Sequence, residues 1–289
     1  MRILLTGENG YISTQLRHWL EKKEDISAVD TLGLRDEGWL GRSLSGYDCV
    51  AHLAALVHTK EKPALAAAYE RVNTALTCRL AAKAKRDGVG QFVFLSTSAV
   101  YGQESVLGQP VLIDQNTLPA PRSLYGKSKW QAEKGLAPLA GEDFRLAVIR
   151  PPMVYGPGCP GNYAALRQLV FRLPVWPAWE NQRSLIYIGN LCELIYLVIA
   201  GRREGVFMPQ NREYVSTAAL ARAIAERRRI KLRQTKLLNP ALWLLGKKAA
   251  KAFGNWTYDQ NLSGCFDWRY CLFDFPTSIE ATEQGWEEN

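Results

Sequence analysis

With 289 residues, 47% of them hydrophobic and 22% charged, the chain can bury a large core and is neither a disordered tail nor a repeat array. Its six cysteines and three histidines show no metal-ligand spacing and no disulfide framework, which sets aside a zinc site. A formal net charge of +8 calls for an anionic partner, and nucleic acid, a membrane surface and a phosphorylated small molecule all meet that demand.

Arg2 to Thr6 reads as an apolar strand entered at once, with no signal peptide before it, so the expectation is a cytoplasmic protein. Gly7-Glu8-Asn9-Gly10-Tyr11-Ile12-Ser13 follows, and helical character runs from Thr14 to Lys23. A strand, a glycine turn and a helix in that order begin a dinucleotide-binding unit. Gly7 permits the tight turn, and Gly10 lets a pyrophosphate approach the helix N-terminus, with Asn9, Tyr11 and Ile12 in the same turn. Ile26 to Asp30 is the second expected strand. At its end, about 20 residues past the glycines, the Asp30 carboxylate would accept ribose hydroxyls and repel a 2′-phosphate. Arg35 pulls the other way, so NAD is favoured and NADP kept as the alternative.

Tyr47 to Ala55 reads as a buried strand whose Leu53, Ala54 and Ala55 end beside the cofactor. His52 and His58 have the chemistry of a base, but His52 reads better as strand-end packing. Helical periodicity from Pro63 to Arg86 carries Asn73, and Gln91 to Ser96 is the strand that delivers Thr97 and Ser98. Tyr125-Gly-Lys-Ser-Lys129 then puts a phenol and an ammonium four residues apart, on one helix face.

After a strand at Phe144 to Arg150, the run from Pro151 to Gly158 breaks regularity and marks the crossing to a second region. The expected organisation is a cofactor domain over 1–155, with some later segments returning to it, and a substrate domain over 156–289. The apolar segment 185–201 holds Asn190 and Glu193 and is too short to span a bilayer. The basic patch at 227–236 reads as a solvated helix face, not a nucleic-acid site. The helix near 241–253, with Trp243 and three lysines, reads as packed in the second domain in preference to resting on a membrane.

These residues resemble the extended short-chain dehydrogenase/reductases of the NAD-dependent epimerase/dehydratase type. The resemblance rests on Gly7-x-x-Gly10, Asp48-x-x-x-His52-Leu53-Ala54-Ala55, Asn73, Ser96-Thr97, Tyr125-x-x-x-Lys129 and Arg150-Pro151-x-x-Val154-Tyr155-Gly156-Pro157. It covers roughly residues 1–200 well. It implies an α/β fold, a Rossmann-type doubly wound parallel sheet with a small C-terminal α/β substrate-binding region, and a homodimer.

The resemblance also implies roles. Tyr125 would be the general acid/base, helped toward the phenolate by Lys129 and an oxidised nicotinamide, and Thr97 would hold the reacting oxygen. Tyr125, Lys129, Asn73 and Pro152 would join the cofactor set. A nucleotide diphosphate sugar would meet Thr97, Ser98 and Met153, with Asn162 and Arg183 on its diphosphate and Trp176 on its base. Dehydratases of this family carry an Asp-Glu pair after the catalytic Thr, where this chain has Ser98 and Ala99, so dehydration is disfavoured. A UDP-sugar 4-epimerase working through a 4-keto intermediate is the expected function. A nucleotide-4-keto-6-deoxy-sugar reductase and a non-catalytic cofactor sensor are the alternatives.

Overall fold

The structure, a computed structural model, describes residues 1–57 and 61–286. Its first unit takes in Met1–Gly102, Leu118–Pro151 and Cys192–Pro209. Short runs rich in Val, Ile, Leu and Phe form a six-stranded parallel sheet here, its four central strands buried on both faces and its two edge strands more open, as in α/β folds. The strand order is Gly205–Phe207, Arg145–Ile149, Gln91–Leu95, Cys49–His52, Arg2–Thr6, Ala28–Leu32. The first strand therefore lies between the second and third, and the chain changes winding direction beside it. In open α/β sheets the crevice at that switch point, outside the carboxyl ends of the strands, is where a dinucleotide binds. Leu4, Val50, Phe92, Phe94, Leu136 and Phe144 belong to the core cluster on one side of this sheet.

The second strand differs from expectation by two residues. It spans Ala28–Leu32, and the register sets Asp30 opposite Leu4 and Leu32 opposite Thr6. The β-branched Val29 and Thr31 carry the pairing past the carboxylate.

Two helical segments frame the expected site. Pro63 to Arg86 forms one helical run with a π-turn at Glu70–Ala75, which turns Asn73 and Thr74 inward. The helix Leu124–Leu136 is capped by Ser123, whose Oγ accepts from the Gly126 amide at 3.0 Å.

The second unit comprises Gln103–Thr117, Pro152–Leu191 and the chain from Gln210 onward. Three short parallel pairs hold it: Met153–Tyr155 with Leu185–Tyr187, Val175–Pro177 with Arg233–Thr235, and Leu112–Ile113 with Thr257–Tyr258. Its interior is polar as well as apolar. The Tyr155 hydroxyl lies 2.6 Å from Ser278 Oγ, and buried Glu283 accepts from Tyr163, Arg167 and Arg228. Among the described residues, no helix is long and apolar enough to cross a membrane.

Candidate active site

The glycine turn has the shape that a dinucleotide needs. Gly7 adopts φ +85°, and a Cβ there would stand 3.0 Å from the Ala54 backbone, so only glycine lets these two strand ends approach. The Gly10 amide closes the turn onto the Gly7 carbonyl at 2.7 Å. The helix Tyr11–Leu20 opens at Gly10 with no side-chain cap and no acidic residue in its first turn. Its free N–H groups and positive dipole end are left for an anion, which fits a pyrophosphate. Asn9 is exposed on this turn, Tyr11 and Ile12 are half-buried at the helix start, and Leu53, Ala54 and Ala55 are half-buried across from it.

Asp30 does not reach this cradle. Its position opposite Leu4 is short of the strand end, and its carboxylate accepts from the Tyr47 hydroxyl at 2.7 Å and Arg2 at 3.3 Å. The Tyr47 bond, outweighing the upward push of burial and joined by Arg2, holds the Asp30 carboxyl below its usual range. A carboxylate does stand at the strand end, and it comes from the glycine turn. Glu8 Oε1 lies 3.5 Å from where a Cβ on Gly33 would be, just past Leu32. The sequence signal for this was an acidic residue inside the turn itself. Arg35 is exposed three residues beyond the strand.

Asn73 is also placed differently. It is fully buried, its Oδ1 accepts from the Leu56 amide at 2.7 Å, and its Nδ2 donates to the Leu56 carbonyl at 3.1 Å and Ser128 Oγ at 3.0 Å. The side-chain amide thus ties the loop after Ala55 to the helix that bears Tyr125. His52 continues this polar chain. Thr77 gives its hydroxyl proton to the Asn73 carbonyl at 2.8 Å, so His52 Nε2 donates to Thr77 Oγ1. Nδ1 then accepts from Thr6 Oγ1 at 2.7 Å. Burial, reinforced by Lys129, pushes His52 down to about 3, so it is a neutral strut with both nitrogens engaged. His58 lies outside the described residues.

The chain past the strand Gln91–Leu95 stays pinned to its neighbour through Ser96 N to the Ile149 carbonyl, 2.7 Å, and Ser98 N to the Pro151 carbonyl, 3.0 Å. Thr97 is fixed between them, and its Oγ1 accepts from the Ala99 amide at 3.2 Å. Gly126 lets the helix Leu124–Leu136 close on this segment, since a Cβ there would stand 2.6 Å from the Ala99 carbonyl oxygen. Glu61, unremarked in sequence, accepts from the Leu124 and Tyr125 amides at 2.9 and 3.0 Å and caps the same helix.

On that helix the Tyr125 phenol lies within electrostatic reach of the Thr97 hydroxyl. Burial pushes the Tyr125 phenol up to about 12, and the nearby Thr97 hydroxyl opposes it. Lys129 is 1% exposed, donates to the Leu95 carbonyl at 2.7 Å and sits 4.5 Å from the centre of the Phe94 ring. Burial pulls it down to about 7, with Glu133 resisting. A phenol beside a hydroxyl, with a buried lysine one helical turn away, is the set of groups that acid/base chemistry at a hydroxyl oxygen needs.

One turn beyond Lys129, Glu133 makes the buried ion pair that sequence reasoning missed. Arg150 Nη2 meets Glu133 Oε2 at 2.5 Å, Arg150 Nη1 donates to the Tyr101 hydroxyl at 2.8 Å, and Ser96 Oγ donates to Glu133 at 2.5 Å. The pair clamps the helix to the ends of two strands. Its signal was the Glu at helical spacing after Tyr125 and Lys129.

In the second unit, Asn162 is exposed at the start of the helix Asn162–Arg172, and Met153 is half-buried opposite Leu185; Pro152 is buried. Trp176 is 2% exposed and packs at 5.9 Å on Phe253, so it is core and offers no face for a base. Arg183 Nη1 donates to the Lys251 and Gly254 carbonyls at 2.9 and 3.1 Å, capping the helix Lys247–Phe253 from below. Its guanidinium is in part committed to this unit's own fold.

The sequence signature of the NAD dependent epimerase/dehydratase family matches residues 3–208. A UDP-glucose 4-epimerase of Vibrio cholerae is 36% identical over 247 residues, 77% of this chain and 74% of that one. The N-acetyl-alpha-D-glucosaminyl-diphospho-ditrans,octacis-undecaprenol 4-epimerase of Escherichia coli O157:H7 is 31% identical over 210 residues, covering 67% and 61%. Among solved structures, the UDP-glucuronic acid 4-epimerase of Bacillus cereus in complex with NAD superposes over 100% of this chain and 99% of that one, with a TM-score of 0.75 at 18% identity. That likeness is one of fold.

Proposed function

The chain belongs to the NAD dependent epimerase/dehydratase family, and from that premise we propose that it is an NAD-dependent nucleotide-sugar 4-epimerase, with a UDP-hexose as substrate. The observation that carries this reading is the Tyr125 phenol beside the Thr97 hydroxyl, with Lys129 one turn along the same helix. The 36% identity to the Vibrio cholerae UDP-glucose 4-epimerase supports the substrate class.

In this reading Thr97 holds the C4 oxygen of the sugar, and Tyr125 takes its proton and later returns it. Bound NAD supplies the hydride acceptor that no side chain offers, and a positive charge that draws Tyr125 toward the phenolate. Lys129, its charge poised by burial, holds the nicotinamide ribose and steadies Tyr125. The Gly7–Gly10 turn and the helix Tyr11–Leu20 bind the pyrophosphate. Glu8 accepts from the adenosine ribose. On the sugar side, Asn162 and the unspent nitrogens of Arg183 take the diphosphate, and Ser98 and Met153 border the hexose.

Dehydration is not part of this proposal, because Ala99 offers no acid or base where elimination would need one. Incubation with dTDP-glucose should therefore give no 4-keto-6-deoxy sugar. A cytoplasmic homodimer, formed through the helices near 63–86 and 125–137, completes the reading; a monomer by light scattering at micromolar concentration would remove that part.

The test is turnover of UDP-galactose by the purified protein with no cofactor added. UDP-glucose should form to a fixed equilibrium ratio. Activity that needs stoichiometric reduced nicotinamide would instead mark a ketoreductase.

A further inference from the structure

Between Glu226 and Asp259 the chain has nine Lys and Arg residues and no carboxylate. Arg227 and Arg228 are committed to Glu280 and Glu283. The other seven make no ion pair among the described residues. In their midst lies apolar surface that none of the described residues covers. Leu237 is 88% exposed, Leu244 91%, Trp243 58% and Leu245 57%.

The local fold explains how these residues come together. A 3₁₀ turn at Lys236–Leu238 runs into the helix Asn239–Leu244, so Leu237, Ala241 and Leu244 fall on one face at helical spacing. The opposite side chain, Leu242, is 3% exposed and anchors the helix. Trp243 meets Trp179 edge-on at 5.9 Å. The helix is thus apolar on its covered face and on its open one. Gly246, at φ +51°, then turns the chain into Lys247–Phe253, where Ala249, Ala250 and Phe253 are buried and Lys247, Lys248 and Lys251 face solvent. An apolar stripe is bracketed by Lys236 on one side and three lysines on the other.

We propose that Lys236–Lys251 is a membrane-surface contact whose occupant is the headgroup layer of an anionic phospholipid bilayer. Two features select this partner. The stripe of Leu237, Leu244 and Leu245 gains by leaving water for acyl chains, and a nucleic-acid backbone offers it nothing comparable. A second copy of the chain is disfavoured by charge, because a twofold interface would set this uncompensated basic patch against itself. The helices here have six and seven residues, so the segment lies on a membrane and does not cross it. Juxtamembrane lysines are drawn to anionic headgroups, and salt weakens that attraction within a Debye length.

The experiment is co-sedimentation of the full chain with vesicles of equal parts phosphatidylglycerol and phosphatidylcholine, and with pure phosphatidylcholine vesicles. Binding is expected only to the anionic vesicles. It should fall about tenfold or more both in Leu244→Asp/Leu245→Asp and in Lys247→Glu/Lys248→Glu. These positions are exposed and distant in sequence from Tyr125, so the melting temperature and UDP-galactose turnover should not change. No sedimentation with anionic vesicles overturns the proposal. So does wild-type binding by the leucine variant, a leucine variant that turns a dimer into a monomer, or duplex DNA binding that replaces vesicle binding. Vesicle binding is read without catalysis, so its failure and failure of the epimerase reading are separate results.

Discussion

The Tyr47 hydroxyl donates a 2.7 Å hydrogen bond to Asp30, in the middle of the second strand. That bond makes Asp30 a strut between strands, and leaves Glu8 as the carboxylate beside Gly33 at the strand end. Asp30→Asn should therefore leave NAD affinity within about twofold and cost at most about 1 kcal/mol, since the carboxylate is half-exposed. Glu8→Gln should weaken NAD binding about tenfold and narrow its margin over NADP, the worth of a hydrogen bond to a charged acceptor. Calorimetric titration of each variant with both dinucleotides is the check. Lost NAD affinity in Asp30→Asn, with none lost in Glu8→Gln, would reverse the assignment.

Tyr125 stands beside Thr97 on a helix closed against Ala99. Tyr125→Phe removes the transferable proton and little else, because the ring and its packing stay. Turnover of UDP-galactose should drop by about 10² to 10⁴ while NAD affinity and melting temperature hold near wild type. Steady-state kinetics beside a thermal melt separate the two effects. Wild-type turnover in this variant would take Tyr125 out of the chemistry.

His52 ties acid stability to the buried chain of Thr6, Thr77 and Asn73. Its folded value, about 3, lies below the unfolded 6.5, so between those limits the unfolded chain binds the extra proton. Its contribution is fully present above pH 6.5 and is lost as pH falls toward 3, at on the order of 1.4 kcal/mol per pH unit. Urea unfolding at pH 7, 6 and 5 should show that slope, and His52→Gln should flatten it. An unchanged slope in the variant would assign the acid sensitivity to other groups.

Arg150 and Glu133 form a buried pair with Tyr101 and Ser96. Arg150→Met strands a carboxylate beside Lys129 and should cost about 3–5 kcal/mol. Glu133→Gln/Arg150→Met, which removes both charges, should recover much of that loss. A double-mutant cycle by chemical denaturation measures the coupling, and additive losses would mean that the pair is not a unit.

What could be read from sequence was what local chemistry dictates. The strand, glycine turn and helix at 2–20 and the Tyr125 to Lys129 spacing announce themselves because 3.6-residue periodicity and φ > 0 at Gly7 leave few alternatives. Asp30 misled because a charged residue after Ile26-Ser27-Ala28-Val29 looks like a strand end, while strand length is set by pairing with Arg2–Thr6. Trp176 and Arg183 could not be placed from sequence, since their roles depend on a helix some 70 residues away, Lys247–Phe253, folding against them. Asn73 was found, but its use was not: the π-turn that swings it onto Leu56 leaves no mark in residue type.

In the proposed reaction hydride leaves C4 of a nucleotide sugar and returns to the same molecule, with Tyr125 handling the proton. UDP-galactose deuterated at C4, mixed with unlabelled substrate that carries a distinct mass tag elsewhere in the hexose, tests it by mass spectrometry of the product. UDP-glucose should keep deuterium at C4, with no crossover to the tagged pool and no net reduced nicotinamide, if C4 hydride returns to its own sugar. Deuterium lost to an added nicotinamide pool, or no UDP-glucose at all, would contradict it.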